Sequence, residues 1–250
     1  MAKQSSEADG SVPAVLLTRP AAASSRFADA LAHRFGAGVD PIVSPLMQPV
    51  FQQPDLPDPP LFAVIFTSDA GVEGARRLQA AGAALPPRAF CVGDRTARAA
   101  TDAGFRAISA DGDAKDLLRL IQETKPTAPL LYLHGRDTRG DLAENLHAAG
   151  LVTFAVQVYQ QDPLPLSPRA LARLAEDCPV LLPLFSPRSA DLLAAQLPAT
   201  TAPLYIAAMS AAVASRAAQI PHCALRIAAR PDAEAMLDAL DDLRILAQMP

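Results

Sequence analysis

The stretch VIFTSDAG, Val64 to Gly71, decides how the chain is read. A short apolar run ends in Thr67 and Ser68, and a helix-like segment follows. Such a run, too short for a buried helix and closed by a hydroxyl residue, reads as a strand that turns directly into a helix. The same corner returns in LPLFSPRS, Leu182 to Ser189. The two corners share a longer register. Ser68 is followed by Gly93 after 25 residues and by Asp113 after 45; Ser186 is followed by Ser210 after 24 and by Asp232 after 46. Landmarks kept in step over this distance indicate two copies of one fold unit. A remaining pair, LLTRPAAASSRFADAL and LYLHGRDTRGDLAENL, occupies permuted positions, which fits one domain inserted into the other.

Outward from these corners, short apolar runs alternate with amphipathic ones. Strands are expected at 14–18, 39–43, 62–67, 89–92, 106–109, 130–133, 153–159, 180–185, 204–207 and 225–228, with helices between most of them. Continuous apolar strands alternating with helices mean parallel sheets covered on both faces. The expected fold is α/β: two similar flavodoxin-like parallel-sheet domains, a two-stranded linker, and an active site in the cleft between them. Two proline-rich extended stretches, at Pro41–Pro60 and Val156–Pro168, mark where the chain passes between domains. The expected layout is a lead at 1–12, a discontinuous domain from 13–40 plus 167–250, linker strands at 41–51 and 154–166, and an inserted domain at 52–153. Residues 14–40 alone would bury almost no core, so they need the C-terminal third as a partner.

The chain has 250 residues, half of them hydrophobic, and a net charge of −4, which argues against a general nucleic-acid or acidic-membrane surface. Lys3, Lys115 and Lys125 are its only lysines among 22 basic residues. The arginine excess suits carboxylates and phosphates, although codon bias accounts for most of it. Cys91, Cys178 and Cys223 are widely spaced and odd in number, as in a cytosolic protein with reduced thiols. The first residues hold no apolar signal segment, and no apolar run approaches the ~20 residues of a membrane helix.

Ligands of open parallel sheets bind beyond the carboxyl ends of the strands. The residues there are rich in hydroxyls, arginines and helix starts: Thr18 and Arg19; Thr67 and Ser68; Gly93 to Thr96; Gly135, Arg136 and Arg139; Ser186, Arg188 and Ser189; Ser210; Arg230. Exposed N–H groups at helix starts attract anions. Each hydroxyl taken singly is the better fit to a helix N-cap. Two such edges facing each other would suit a large polyanion. His33, His134, His147 and His222 show no metal spacing, no GxxxxGK[ST] loop occurs, and FGAGVD follows a helix, as a C-cap turn does. No metal and no cofactor is therefore expected.

The motifs VLLTRP, VIFTSDAG, FCVGDRTARAATDAG, LYLHGRDTRGDLAENLHAAGLVTFAVQVYQ, LFSPRSA and AARPDAEAMLDAL together resemble the uroporphyrinogen-III synthase family, in that family's order and over nearly the whole chain after residue 13. The resemblance implies an enzyme that closes hydroxymethylbilane, a linear tetrapyrrole with eight carboxylates, to uroporphyrinogen III while inverting ring D. Loss of the terminal hydroxyl gives an azafulvene, which attacks the substituted carbon of ring D to form a spiro intermediate that fragments and recloses inverted. It implies no cofactor, a small-molecule substrate, and a cytosolic monomer without nucleic-acid or membrane partners. An unstable substrate leaves room for transient contact with the preceding pathway enzyme.

By the same resemblance, Thr67, Ser68, Gly93, Thr96, Ser186 and Ser210 fall at family substrate positions, and Tyr159 matches the tyrosine that acts as general acid. A free phenol, with a pKa of about 10, is protonated at neutral pH and able to donate. Packing of Tyr159 as a linker aromatic is the competing reading. Arg19, Arg136, Arg139, Arg188 and Ser189 are substrate candidates from position, and each arginine could instead pair with a surface carboxylate. The second copy departs from the first: Val213 stands where Thr96 does, and Ser210 where Gly93 does. A non-catalytic two-domain binding or regulatory protein for a polyanionic, tetrapyrrole-like ligand is compatible with the same residues.

Overall fold

The computed structural model describes residues 12–137 and 142–249. In chain order the elements are β1 (Ala14–Leu17), α1 (Ala21–Phe35), β2 (Asp40–Val43), β3 (Met47–Phe51), β4 (Ala63–Phe66), α2 (Asp69–Ala80), β5 (Arg88–Cys91) and α3 (Asp94–Asp102). They continue with β6 (Arg106–Ser109), α4 (Ala114–Thr124), β7 (Leu130–Gly135), α5 (Leu142–Ala148), β8 (Thr153–Pro163), α6 (Pro168–Leu174) and β9 (Val180–Leu184). The last are α7 (Pro187–Gln196), β10 (Leu204–Ala208), α8 (Ala211–Ala217), β11 (Ala224–Ile227) and α9 (Ala233–Ala247). FGAGVD forms the end of α1 and a single 3-10 turn.

The chain divides into two units, residues up to Gln48 with those from Pro163 onward, and Pro49–Asp162. The discontinuous unit carries a five-stranded parallel sheet in the order β11-β10-β9-β1-β2. Its central strands are buried on both faces. Ala14 and Leu16 of β1 enter one apolar cluster with α6, α7 and α8, while Val15 and Leu17 enter another with α1 and α9. The inserted unit has a six-stranded sheet, β3-β8-β7-β4-β5-β6, parallel from β8 to β6. Val64 and Phe66 pack on one face of it, Ala63 and Ile65 on the other. The pleat's two-residue period thus turns a continuous apolar run into two cores.

The six repeat landmarks do one local job. Ser68, Gly93 and Asp113 are the N-caps of α2, α3 and α4, and Ser186, Ser210 and Asp232 those of α7, α8 and α9. All but Gly93 accept a backbone N–H of the first turn through the side chain, which satisfies donors that a helix start otherwise leaves open. Asp113 and Asp116 close a full capping box, and the Lys115 N–H holds the Asp113 carboxyl below the usual carboxylate range.

The linkers divide differently from the sequence expectation. Residues 40–43 are β2, paired in parallel with β1 rather than running between units. Thr153 to Tyr159 belongs to the parallel sheet, against β7. The ladder is β3 with β8: Gln52 donates to the Val158 carbonyl at 2.9 Å and Leu164 to the Leu46 carbonyl at 2.8 Å, numbers that rise on one strand as they fall on the other. Pro41 and Pro49 are tolerated because β2 and β3 are edge strands, where a missing N–H breaks no central ladder. No helix among the described residues is long and apolar enough to cross a membrane.

Candidate functional site

In each sheet the order reverses at one place, between β4 and β7 in the inserted unit and between β1 and β9 in the discontinuous one. A crevice opens at the carboxyl ends of strands at such a point.

In the inserted unit, β4 is followed by Thr67 and Ser68, whose consecutive side chains reach opposite faces of the sheet. The Thr67 hydroxyl lies 3.1 Å from the Tyr132 phenol oxygen. The Ser68 hydroxyl lies 3.0 Å from that of Tyr159 and accepts the Gly71 N–H at 3.1 Å. Tyr132 is 6% exposed, and burial pushes its phenol above the ordinary range, with the Thr67 hydrogen bond opposing. The His134 ring sits 5.0 Å from the Tyr132 ring, and its Nδ1 lies 2.8 Å from the Gly135 carbonyl, an acceptor. Nδ1 therefore carries the ring proton in this contact. Tyr159 packs at 6.3 Å from Phe51, whose other neighbour is the Arg77 guanidinium at 4.2 Å.

Gly93, an N-cap without a side chain, leaves the start of α3 open. The Thr96 hydroxyl donates instead to Asp69 at 3.4 Å, and Arg95 meets the same carboxylate at 3.0 Å. Thr96 is 5% exposed, so its hydroxyl ties the first turns of α3 and α2 together. Arg136 is exposed, reaches Gln160 at 3.3 Å, and donates its backbone N–H to the Tyr159 carbonyl at 2.9 Å. Arg139 lies outside the described residues.

In the discontinuous unit, the Arg19 guanidinium stacks 4.3 Å over the Phe185 ring, itself edge-on to Phe27. Ser186 accepts the Ser189 N–H at 3.1 Å, and the two hydroxyls meet at 2.8 Å; Ser189 is buried. Arg188 follows Pro187 in the first turn of α7 and is half-buried. Ser210 accepts the Val213 N–H at 3.4 Å.

The structure thus brings Thr67, Ser68 and Tyr159 together at one sheet edge, with Arg136 beside them in the chain path. In the other unit Arg19 and the Ser186 corner meet through Phe185. Gly93 and Ser210 are separate corners, one strand further out. Sequence reasoning did not single out Tyr132, and it placed Gly135 at a strand end without giving it a task. The alternation of Tyr132 and His134 at the end of β7, in LYLHG, was the only sequence signal for the tyrosine. No group of three or more His, Cys, Asp or Glu among the described residues is placed to hold a metal ion. A surface cavity of about 730 Å³ lies beside Leu56, Leu78 and Ala83. It is at the C-terminal end of α2, the length of that 12-residue helix from Ser68.

Residues 26–238 match the family model described as "Uroporphyrinogen-III synthase HemD". The uroporphyrinogen-III synthetase structure of Helicobacter pylori 26695 superposes with a TM-score of 0.64 at 17% identity, over 92% of this chain and 99% of that one. A mutant uroporphyrinogen III synthase of Thermus thermophilus aligns at 17% identity over 92% and 98%, with a TM-score of 0.48. No curated protein sequence gives a significant match.

Proposed function

The chain belongs to the uroporphyrinogen-III synthase family, and on that premise we propose how its residues close hydroxymethylbilane to uroporphyrinogen III with inversion of ring D. The match of a single family model to residues 26–238 carries the reading. The substrate cyclises unaided to the uninverted isomer. The catalyst's main work is therefore to hold one conformation and steer ring D, a positioning task that fixed hydrogen-bond donors can perform.

Two sets of groups do this in the proposal. The strand-end edge of each unit binds carboxylates, through backbone N–H groups at the starts of α2, α3 and α7, the hydroxyls of Thr67 and Ser210, and the guanidiniums of Arg19, Arg136, Arg139 and Arg188. Arginine's planar fork matches a carboxylate in two-point geometry. Tyr159 is the general acid. It gives its phenol proton to the terminal hydroxyl as the C–O bond breaks, so that the oxygen leaves as water and the pyrrole nitrogen, keeping its proton, supplies the electron pair that completes an azafulvenium cation. Support for this role comes from its place at the sheet edge, hydrogen-bonded to the residue that caps α2. Thr96 and Ser189 have smaller parts, because both are buried and their hydroxyls already meet Asp69 and Ser186. We propose a monomer in the cytosol.

The test is product analysis. The protein, incubated with freshly made hydroxymethylbilane, yields isomer III well above the blank after oxidation and separation. Isomer I at the blank rate, with no excess of isomer III, overturns the reading.

A further inference from the structure

We propose that Ser68 is a positioning residue for Tyr159: its hydroxyl donates to the phenol oxygen and turns the phenol's own proton outward, toward the departing hydroxyl of the substrate. The inference rests on the reading of Tyr159 as proton donor and names the residues that make it one.

Three independent features hold the phenol where Ser68 can reach it. The first is a β-bulge. His134 pairs with Gln157, but the next residue, Gly135, pairs with Tyr159, so Val158 is an extra residue in β8. Phe154, Val156 and Val158 all pack on the cluster that faces α2. Strict alternation would then send Tyr159 to the opposite face. The bulge breaks the alternation, and Tyr159 packs on that same cluster. The second is Gly135. A Cβ there would lie 2.5 Å from Tyr159 Cζ and 2.9 Å from its Oη, so the ring is seated directly on the glycine. The third is the α2 corner, which sets Ser68 Oγ at 3.0 Å from Tyr159 Oη.

Either hydroxyl can donate in that contact, and the proposal assigns the proton to Ser68. Ser68 has one proton and already accepts the Gly71 N–H at 3.1 Å. If the serine donates onward, three donors line up head to tail: Gly71 N–H to Ser68, Ser68 O–H to Tyr159, Tyr159 O–H to the ligand. Hydrogen bonds aligned in this way strengthen one another. Once the phenol proton has moved to the leaving oxygen, the negative charge on Oη faces the Ser68 O–H and the positive end of α2, both of which stabilise it. The proton released when the ring carbon closes restores the phenol, so the cycle consumes none.

The experiment compares Ser68→Gly, Ser68→Thr, Tyr159→Phe and the double variant Ser68→Gly/Tyr159→Phe in steady-state turnover of hydroxymethylbilane. Glycine keeps the helix N-cap nearly as well as serine while removing the hydroxyl. Tyr159→Phe lowers kcat about a hundredfold, the lower end for a positioned proton donor. Ser68→Gly lowers kcat roughly tenfold with little change in KM, as expected for a hydrogen bond to a group that becomes charged. Ser68→Thr restores most of that loss. The double variant is no slower than Tyr159→Phe, because the serine acts through the phenol. Losses that multiply in the double variant, or a raised KM with kcat unchanged in Ser68→Gly, overturn the proposal and leave Tyr159 as the acid. Wild-type turnover in Tyr159→Phe removes the acid itself, and the proposal with it.

Discussion

Val213 occupies in the discontinuous unit the place that Thr96 holds in the inserted one, and the difference is one of partners. Thr96 donates to Asp69, the residue after the Ser68 cap. The residue after the Ser186 cap is Pro187, which has no side-chain acceptor to offer, and Val213 is accordingly an apolar core residue at 1% exposure. A buried hydroxyl without a partner is destabilising, so hydroxyl and carboxylate are kept or lost together. Thr96 is therefore an internal tie in its unit, a role its position in the repeat did not reveal. The cysteines separate by the same logic of surroundings. Burial alone pushes the Cys91 thiol up to about 12, whereas Cys223 is exposed. The thiolate is the reacting form. In the native protein at pH 8, Cys223 is expected to react with a disulfide reagent while Cys91 does not, and Cys91 becomes reactive only in denaturant. Rapid native labelling of Cys91, read by peptide mass analysis, would contradict its placement in the core.

At the scale of elements, most of the strand-to-helix corners were legible. The expected strands at 62–67 and 106–109 overlie β4 and β6 to within a residue at each end, because an apolar run and its capping residue are both local signals. The ladder was less legible. β8 runs on to Pro163, pairing first with β7 and then with β3, and no local pattern tells a sheet strand from a linker strand when both are extended. The seating of α2 was not legible at all. Gly74 reads as a poor helix residue, yet a Cβ there would lie 2.6 Å from Val158 Cγ2. The glycine lets α2 approach β8 closely enough to carry Ser68 to the phenol. Gly74→Ala is expected to destabilise by about 1–3 kcal/mol, the usual range for overpacking a core, despite alanine's better helix propensity. The check is a urea midpoint that falls with the slope unchanged. An unchanged or higher midpoint would mean that Val158 gives way freely.

For the whole molecule, the two units share one spatial sheet reached by two chain orders. Counted within the unit, the discontinuous sheet runs 2-1-3-4-5 and the inserted one, apart from β3, runs 3-2-1-4-5. β1 with α1 and β7 with α5 are therefore the permuted pair, and the order reverses beside equivalent strands. Each of the four apolar clusters lies wholly within one unit. The segment 49–162 expressed alone is accordingly expected to fold, with a single cooperative urea transition. A broad, non-cooperative transition would show that its cores need the other unit. Sequence alone determined the alternation of strand and helix, the six capped corners, and the existence of a repeat, since each depends on burial period or on neighbours a few residues apart. Only the tertiary structure decided which strands adjoin at the reversal of order, which hydroxyl meets which phenol across 65 and 91 residues, and that a bulge turns Tyr159 onto the face of Ser68. Those contacts join residues with no local relation, so sheet order and packing select them, and neither propensity nor spacing carries that information.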